Sequence, residues 1–381
     1  MKETKKELQL YIHIPFCERK CQYCDFLSFA AGGEVRNTYH KMLLEEIKRE
    51  KSKREETEGY IVTSVFFGGG TPSLLPAEQI AEILAVCRNK YDFADTAEIS
   101  VEMNPGTISM DKLQIYKAAG INRLSIGLQS TRDDELRLLG RIHTWQAFLE
   151  GFQMARKCGF SNINIDLMSA LPNQTVESWQ ETLQKVIALE PEHLSAYSLI
   201  IEEETPFYHK YGNDSSALPS EDNERQMYYE TEKILVAAGY YRYEISNYAK
   251  KGYECQHNIG YWQRKEYRGF GLGAASLMEE TRFQVTEQMA EYLKGRFERQ
   301  EEEILDEKAQ MEEMMFLGLR LCEGISVTDF EEKFHCAFEV VYGNVVRRLQ
   351  MAGLVEQSAG RIRLTAKGID ISNYVFGEFL V

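Results

Sequence analysis

Three cysteines stand close enough in this chain to do chemistry together. Cys17, Cys21 and Cys24 lie in IPFCERKCQYCDF with the spacing C-x3-C-x2-C. Three thiolates inside eight residues can converge only if the segment loops around something. Structural zinc wants four closed ligands, and neither His13 nor His40 stands at finger spacing. Ferredoxin spacings differ too, since there a fourth cysteine completes the site. A [4Fe-4S] cluster held by three cysteines leaves one iron open to an outside ligand. Zinc, or three unrelated buried cysteines, are the alternatives that the spacing leaves.

Further residues of this kind recur downstream. Gly68-Gly69-Gly70-Thr71-Pro72 lacks the GK[ST] ending of a phosphate loop, so it reads as a close backbone approach to a ligand or as a ligand-free tight turn. Glu102, Asn104, Gln129, Asp166 and Tyr197 each fall at the end of an apolar run or within one. His257-Asn258-Ile259-Gly260-Tyr261-Trp262 joins an imidazole to two large aromatic rings, with Cys255 two residues earlier as a conceivable thiolate. There is no C-x-x-C-H for covalent haem attachment. Gly269-Phe270-Gly271-Leu272-Gly273 follows no clear strand, which weakens a dinucleotide-binding reading. Cys87, Cys158, Cys322 and Cys336 fall in helical patterns and read as small core residues.

The elements that must position these groups follow from periodicity. Strand-length runs are expected over Leu8 to Phe16, Ser64 to Phe67, Glu98 to Asn104, Arg123 to Gln129, Asn162 to Met168 and His193 to Ile201. Helical patterns over Tyr39 to Glu50, Pro76 to Asn89, Asp111 to Ala119, Trp145 to Lys157 and Val176 to Leu189 fill the gaps. Strand then helix, repeated, is the order of a parallel sheet, open or curled into a partial barrel. The unusual residues gather at the strands' carboxyl ends, which a barrel would bring to one mouth. Later, Tyr228 to Asn247 reads as a helix, a stop at Gly239 and a short strand. Between Thr286 and Met314, ten acidic residues against four basic ones suggest a solvated helix-and-linker boundary. Helices over Met311 to Leu321, Val327 to Phe334 and Phe338 to Met351, then a hairpin over Leu354 to Leu364 turning at Gly360, have the order of a winged-helix module.

Composition narrows the class. The 381 residues carry 44 Lys and Arg against 59 Asp and Glu, a net charge of −15, which disfavours nucleic acid as a partner. Met1 to Leu10 is charged rather than signal-like, no run reaches membrane-span length, and a cytoplasmic location is expected. In that reducing setting eight cysteines favour metal, redox or core roles over disulfides.

With these motifs in view, the chain resembles the radical S-adenosylmethionine (SAM) superfamily, whose hallmark is a C-x3-C-x2-C loop after the first strand of a partial (β/α)6 barrel. The resemblance covers roughly Leu8 to Glu204. It implies an α/β fold with that barrel over 1–205, a connecting segment over 206–300 and a C-terminal winged-helix-like α+β module over 301–381. It also implies that Cys17, Cys21 and Cys24 hold a [4Fe-4S] cluster whose open iron takes the methionyl group of SAM. An electron donor such as flavodoxin or ferredoxin would then allow reductive cleavage to a 5′-deoxyadenosyl radical. By the same resemblance Tyr11, Tyr23, Gly69, Gly70, Thr71, Glu102, Gln129, Arg141 and Asp166 contact SAM.

YIHIPFC, GGGTPSLL, EMNP, SIGLQS and DLMSALP are similar to the oxygen-independent coproporphyrinogen III oxidase group of porphyrin biosynthesis, the HemN-like proteins. Two departures put the oxidase reaction in doubt. Phe26 stands where the oxidase has a further cysteine, and only sixteen residues precede Cys17. HNxxYW is instead the hallmark of the HemW branch, haem-binding relatives that act as haem chaperones. That likeness implies haem as cargo, bound by His257, Asn258, Tyr261 and Trp262, and transfer to an acceptor such as an apo-cytochrome or a transiently met membrane protein. An imidazole nitrogen for iron, and rings whose polar tips meet propionates, suit a porphyrin.

Overall fold

The structure, a computed structural model, describes residues 5–50 and 59–380. The first four residues of the charged amino-terminal stretch lie outside it. Six strands, β1 (Lys6–Ile14), β2 (Tyr60–Gly69), β3 (Phe93–Met103), β4 (Arg123–Gln129), β5 (Ile163–Ser169) and β6 (His193–Ser198), run parallel, each paired to the next. Along them buried apolar side chains alternate with buried polar ones. Leu10, Val65, Ile99, Leu124, Ile165 and Leu194 belong to the main hydrophobic core. Gln9, Ser64, Glu98, Arg123, Asn164 and His193, also buried, occupy the opposite face. Tyr11 of β1, Phe66 of β2, Glu102 of β3, Ser125 of β4, Asp166 of β5 and Ser195 of β6 line one cavity, so the sheet curls into a partial barrel with a polar interior.

Helices Gly33–Arg49, Ala77–Lys90, Met110–Ala119, Trp145–Lys157 and Val176–Ile187 follow the first five strands, as periodicity leads one to expect. Ser109, Thr144 and Thr175 cap the last three through their hydroxyls. Gly120, at φ +93°, ends the third in a left-handed turn that favours glycine. After β6 and the short helix Pro206–Tyr211, the helix Glu221–Ala237 completes the sixth unit, and the buried Trp179 Nε1–H donates to its Thr231 Oγ1 at 2.8 Å.

The sheet does not close. Beyond β6 it adds β7 (Tyr241–Arg242) and β8 (Asn247–Ala249); beyond β1 it adds β9 (Tyr267–Phe270), β10 (Ala275–Met278), β11 (Thr281–Val285) and β12 (Arg299–Ile304). Two of these correct the sequence reading. β9, where no strand was expected, runs into the Gly269 to Gly273 segment and includes its first two residues, and it pairs in parallel with β1. β12 falls in the acidic stretch expected to be helix and linker. Its sequence RQEEEI has low strand propensity, but at an exposed edge charged side chains are tolerated and the ladder to β11 holds it.

The C-terminal module has its own core around Phe330, Phe338, Tyr342 and Ile362. Helices Glu307–Gly318, Val327–Phe334 and Phe338–Met351 precede a hairpin of β14 (Val355–Ser358) and β15 (Arg361–Leu364), to which the short β13 (Ile325–Ser326) adds a third strand. Cys322 and Cys336, expected within helices, lie in turns. The module is tied to the rest by Arg264 Nε, which donates to Glu313 Oε2 at 2.7 Å with both side chains buried. Glu313→Ala strips that buried guanidinium of its main partner while Glu280 remains, and should cost about 3 kcal/mol, read as a lower urea midpoint.

Candidate functional site

The cysteine loop is fastened at the carboxyl end of the barrel. Cys17 N–H donates to Phe29 O at 3.1 Å, Gln22 N–H to Leu139 O at 3.0 Å, and Phe207 N–H to Gln22 O at 2.9 Å. All three thiols are half-buried and free of disulfides. Burial, together with the neighbouring thiols of Cys21 and Cys17, pushes the Cys24 thiol up. Thr71 Oγ1 lies 3.6 Å from Cys17 Sγ, and Arg141 Nη1 lies 3.7 Å from Cys21 Sγ. A side chain at Gly70 would place its Cβ 3.0 Å from Cys17 Sγ and 2.8 Å from the Phe16 carbonyl, so only glycine leaves this approach open. Tyr23 packs against Phe207, with ring centroids 6.4 Å apart.

Among the described residues, no three His, Cys, Asp or Glu side chains are arranged to hold a single metal ion. A cluster asks for something different: one thiolate at each of three separate irons. Three accessible thiols, a guanidinium beside one of them and a side-chain-free glycine beside another fit that demand.

Below the cysteines lies a layer of carboxylate and amide groups. Gly69, at φ +115°, donates its N–H to Glu102 Oε2 at 3.2 Å. Burial first, then the nearby Asp166, pushes Glu102 up to about 8. Asp166 is also raised by burial, although it accepts from Asn164 Nδ2 at 2.7 Å and from Ser125 Oγ at 3.4 Å. Gln129, at φ +73°, accepts from Tyr197 O–H at 2.8 Å. Arg141 Nη2 donates to the Gly127 carbonyl. Tyr11 Oη and His13 Nδ1 are 3.0 Å apart. Tyr11, Gly69, Glu102, Gln129, Arg141 and Asp166 thus come together around the barrel interior and mouth, with Tyr23, Gly70 and Thr71 at the loop above.

The HNxxYW segment reaches the same cavity from its other side. It forms the short helix Gln256–Trp262, which enters the barrel from the amino ends of the strands. His257 is fully buried, its ring stacked on Phe66 at 5.2 Å. Ser64 Oγ lies 2.8 Å from its Nδ1 and Tyr261 Oη lies 3.1 Å from its Nε2, so both ring nitrogens are engaged. Burial, and then the charge of Arg123, pushes this imidazole down to about 3. Cys255 donates its thiol to Glu98 Oε1 at 3.6 Å, and burial pushes it up to about 12, far from a thiolate at neutral pH. Asn258 joins His257 and Tyr261 on the wall of the cavity. Trp262 interacts away from it, its ring 4.3 Å from the Arg320 guanidinium of the C-terminal side.

Two sets of buried polar residues beside the site escaped sequence reading. Arg123 and Glu98 approach to 3.9 Å inside the barrel. His193 bridges Asn164, at 2.6 Å from Nδ1, and Tyr243, at 2.8 Å from Nε2. The available signal was a polar residue at alternate positions of strands otherwise apolar on both faces.

Residues 11–186 match the model of the radical SAM superfamily, and residues 305–371 match that of the HemN C-terminal domain. The chain is 37% identical to the heme chaperone HemW of Lactococcus lactis over 379 residues, covering 99% of this chain and 98% of that protein. The chain belongs to the HemW family of radical SAM proteins. Heme chaperone HemW of Bacillus subtilis is likewise 37% identical, with 97% and 98% covered. The solved structure of coproporphyrinogen III oxidase (HemN) from Escherichia coli, a radical SAM enzyme, matches with a TM-score of 0.84 at 25% identity, covering 98% of this chain and 90% of that one. Family membership implies a [4Fe-4S] cluster and SAM as cofactors, a demand that the thiol loop fits.

Glu102 makes the barrel sensitive to pH. Because its native value of about 8 lies above the ordinary 4.5, the folded state keeps this proton longer than the unfolded chain does. Stability therefore falls as pH rises from about 4.5 to about 8, by on the order of 3–5 kcal/mol. Glu102→Gln keeps an acceptor for Gly69 N–H without the charge. Its urea midpoint should vary less than that of the wild type over the same range; equal slopes would assign the effect to other groups.

Proposed function

We propose that this protein is a haem chaperone: it carries a [4Fe-4S] cluster and SAM on its barrel, binds haem as cargo and passes it to an acceptor protein. Near-full-length identity to proteins named for that role supports the reading. In it, Cys17, Cys21 and Cys24 hold the cluster, and Tyr11, Tyr23, Gly69, Gly70, Thr71, Glu102, Gln129, Arg141 and Asp166 hold SAM. When bound, the reduced cluster supplies an electron to the sulfonium of SAM, given a donor such as flavodoxin or ferredoxin. Arg141 sets a fixed positive charge beside Cys21, Gly69 and Gly70 keep the approach clear, and a Glu102 held uncharged near neutral pH is able to donate a hydrogen bond. Eight cysteines without a disulfide suit the cytoplasm, and no helix among the described residues is long and apolar enough to cross a membrane.

One observation separates this reading from the oxidase. The space enclosed between Glu102, Asp166 and the HNxxYW helix is about 200 Å³. Pockets for drug-sized ligands span roughly 300–1,000 Å³, so the barrel interior offers less room than a tetrapyrrole substrate asks for. Phe26, in the place of the oxidase's additional cysteine, agrees with this; its side chain is exposed. A larger cavity of about 640 Å³ lies near β10–β12, but its walls set the carboxyls of Glu46, Glu50, Glu279 and Glu302 against Arg49, Arg268 and Arg299, a poor match for a dianionic porphyrin.

The test is anaerobic reconstitution followed by two assays. Haem should give a saturable Soret change and move to an apo-cytochrome, while coproporphyrinogen III with SAM and reductant should yield no protoporphyrinogen IX. Turnover of coproporphyrinogen would sink the chaperone reading as sufficient. Replacing Cys17, Cys21 and Cys24 together by Ala should remove iron and acid-labile sulfide; retention of both would place the cluster elsewhere.

A further inference from the structure

Five of the six barrel strands lend a residue to the SAM assignment above: Tyr11 from β1, Gly69 from β2, Glu102 from β3, Gln129 from β4 and Asp166 from β5. β6 lends none. Its inward side chains, at alternate positions, are His193, Ser195 and Tyr197. Each of the three meets the carbonyl oxygen of a side-chain amide on β5 or β4. His193 Nδ1 lies 2.6 Å from Asn164 Oδ1, and Ser195 Oγ donates to the same oxygen at 3.2 Å. With its oxygen so occupied, the Asn164 amide turns its NH2 to Asp166 Oδ1 at 2.7 Å and to Ser125 Oγ at 2.8 Å. Tyr197 does the same for Gln129, its O–H donating to Oε1 at 2.8 Å.

The Tyr197–Gln129 bond crosses a strand. β5 lies between β4 and β6, and Tyr197 is in register with Met168 of β5. Gln129 comes out to meet it because β4 is irregular there: its pairing with β5 slips between Gly127 and Gln129, and Gln129 takes φ +73°. A bulge re-aims a side chain, and a left-handed residue other than glycine persists only where its surroundings hold it. Burial pushes the Tyr197 hydroxyl well above the ordinary tyrosine range, with Asp166 and Tyr23 adding to the effect, so the group stays a donor at neutral pH.

A phenol has a single proton. Given to Oε1, it leaves Gln129 Nε2 on the other side of the amide. A Cβ built at Gly127 would stand 3.2 Å from Nε2 and 3.2 Å from Arg141 Nη2, so the two donors lie side by side over that glycine. Arg141 Nη2 is engaged by the Gly127 carbonyl, whereas Gln129 Nε2 has no acceptor among the described residues. Without the Tyr197 hydroxyl the amide is free to turn over and offer its oxygen instead.

Resting on the assignment of Gln129 and Arg141 to SAM above, we propose that Tyr197 is a positioning residue of that site: its O–H occupies the Gln129 carbonyl oxygen, so that the amide NH2 is presented beside Arg141 to an acceptor on the ligand. In this role Tyr197 acts only through Gln129. It decides which face of the amide the ligand meets.

SAM binding to the full-length, reconstituted protein tests this, measured anaerobically by equilibrium dialysis. Tyr197→Phe removes the hydroxyl and keeps the ring, so its iron and acid-labile sulfide should match the wild type. It should bind SAM about two- to tenfold more weakly, the contribution of one neutral hydrogen bond. Gln129→Met keeps the side-chain length without the amide and should also bind more weakly. Adding Tyr197→Phe to Gln129→Met should change the affinity by less than about twofold, because no amide remains to be oriented. Wild-type affinity in Tyr197→Phe overturns the proposal while the SAM assignment stands. So does loss of the cluster from Tyr197→Phe, or an undiminished further loss of affinity in the double variant; either makes Tyr197 a packing residue of the barrel. A Gln129→Met variant that binds SAM like the wild type overturns the assignment of Gln129 to SAM, and the proposal with it.

Discussion

A guanidinium sealed inside the barrel organises much of what surrounds it. Arg123, only 2% exposed, lies on the wall of the barrel cavity, and a buried charge without a partner costs several kcal/mol. Glu98 stands across from it, and Glu98 in turn accepts from the Cys255 thiol and the His257 N–H. The same positive charge helps to drive His193 and His257 to the neutral form. Neutral imidazoles can each donate from one nitrogen and accept at the other, and both rings are used in this way as bridges. The HNxxYW helix is thus held in the barrel by the need to satisfy a buried ionic and polar network, with Gln9 amide bonds to the Gln256 and His257 carbonyls completing the attachment.

From this follows the asymmetry of the molecule. The amino ends of the strands are closed by the HNxxYW helix and, behind it, by the C-terminal module through Arg264–Glu313 and the Trp262–Arg320 contact. The carboxyl ends are left to the cysteine loop and the glycine turn. A barrel closed at one end confines chemistry to the other. The motif faces inward, with His257 and Tyr261 on the wall of the barrel cavity.

Much of the fold was legible from period alone. The six parallel strands and the helices after the first five lie where alternation and helical spacing put them, because each unit buries its own apolar stripe locally. β12 was not legible, since nothing in RQEEEI favours a strand until β11 offers it an edge. β9 was hidden by its glycine. Gly269 allows the close crossing by β10, where a Cβ would stand 2.2 Å from the Ala275 carbonyl, and Gly271, at φ +103°, leaves room for Tyr39 Oη.

The candidate site divides the same way. By themselves, the residues of the sequence determined that three thiols share one loop and that a glycine turn stands ready beside them, because those relations are set by spacing of a few residues and by backbone freedom. They also carried the family likeness, which rests on short contiguous motifs. Which side the HNxxYW helix would face, which histidines would be sealed and which left in solvent, and how Glu102 would meet Asp166 were decided only in the tertiary structure. Burial and electrostatics are sums over neighbours distant in sequence: Ser64 and His257 are 193 positions apart, and no local pattern records that they meet.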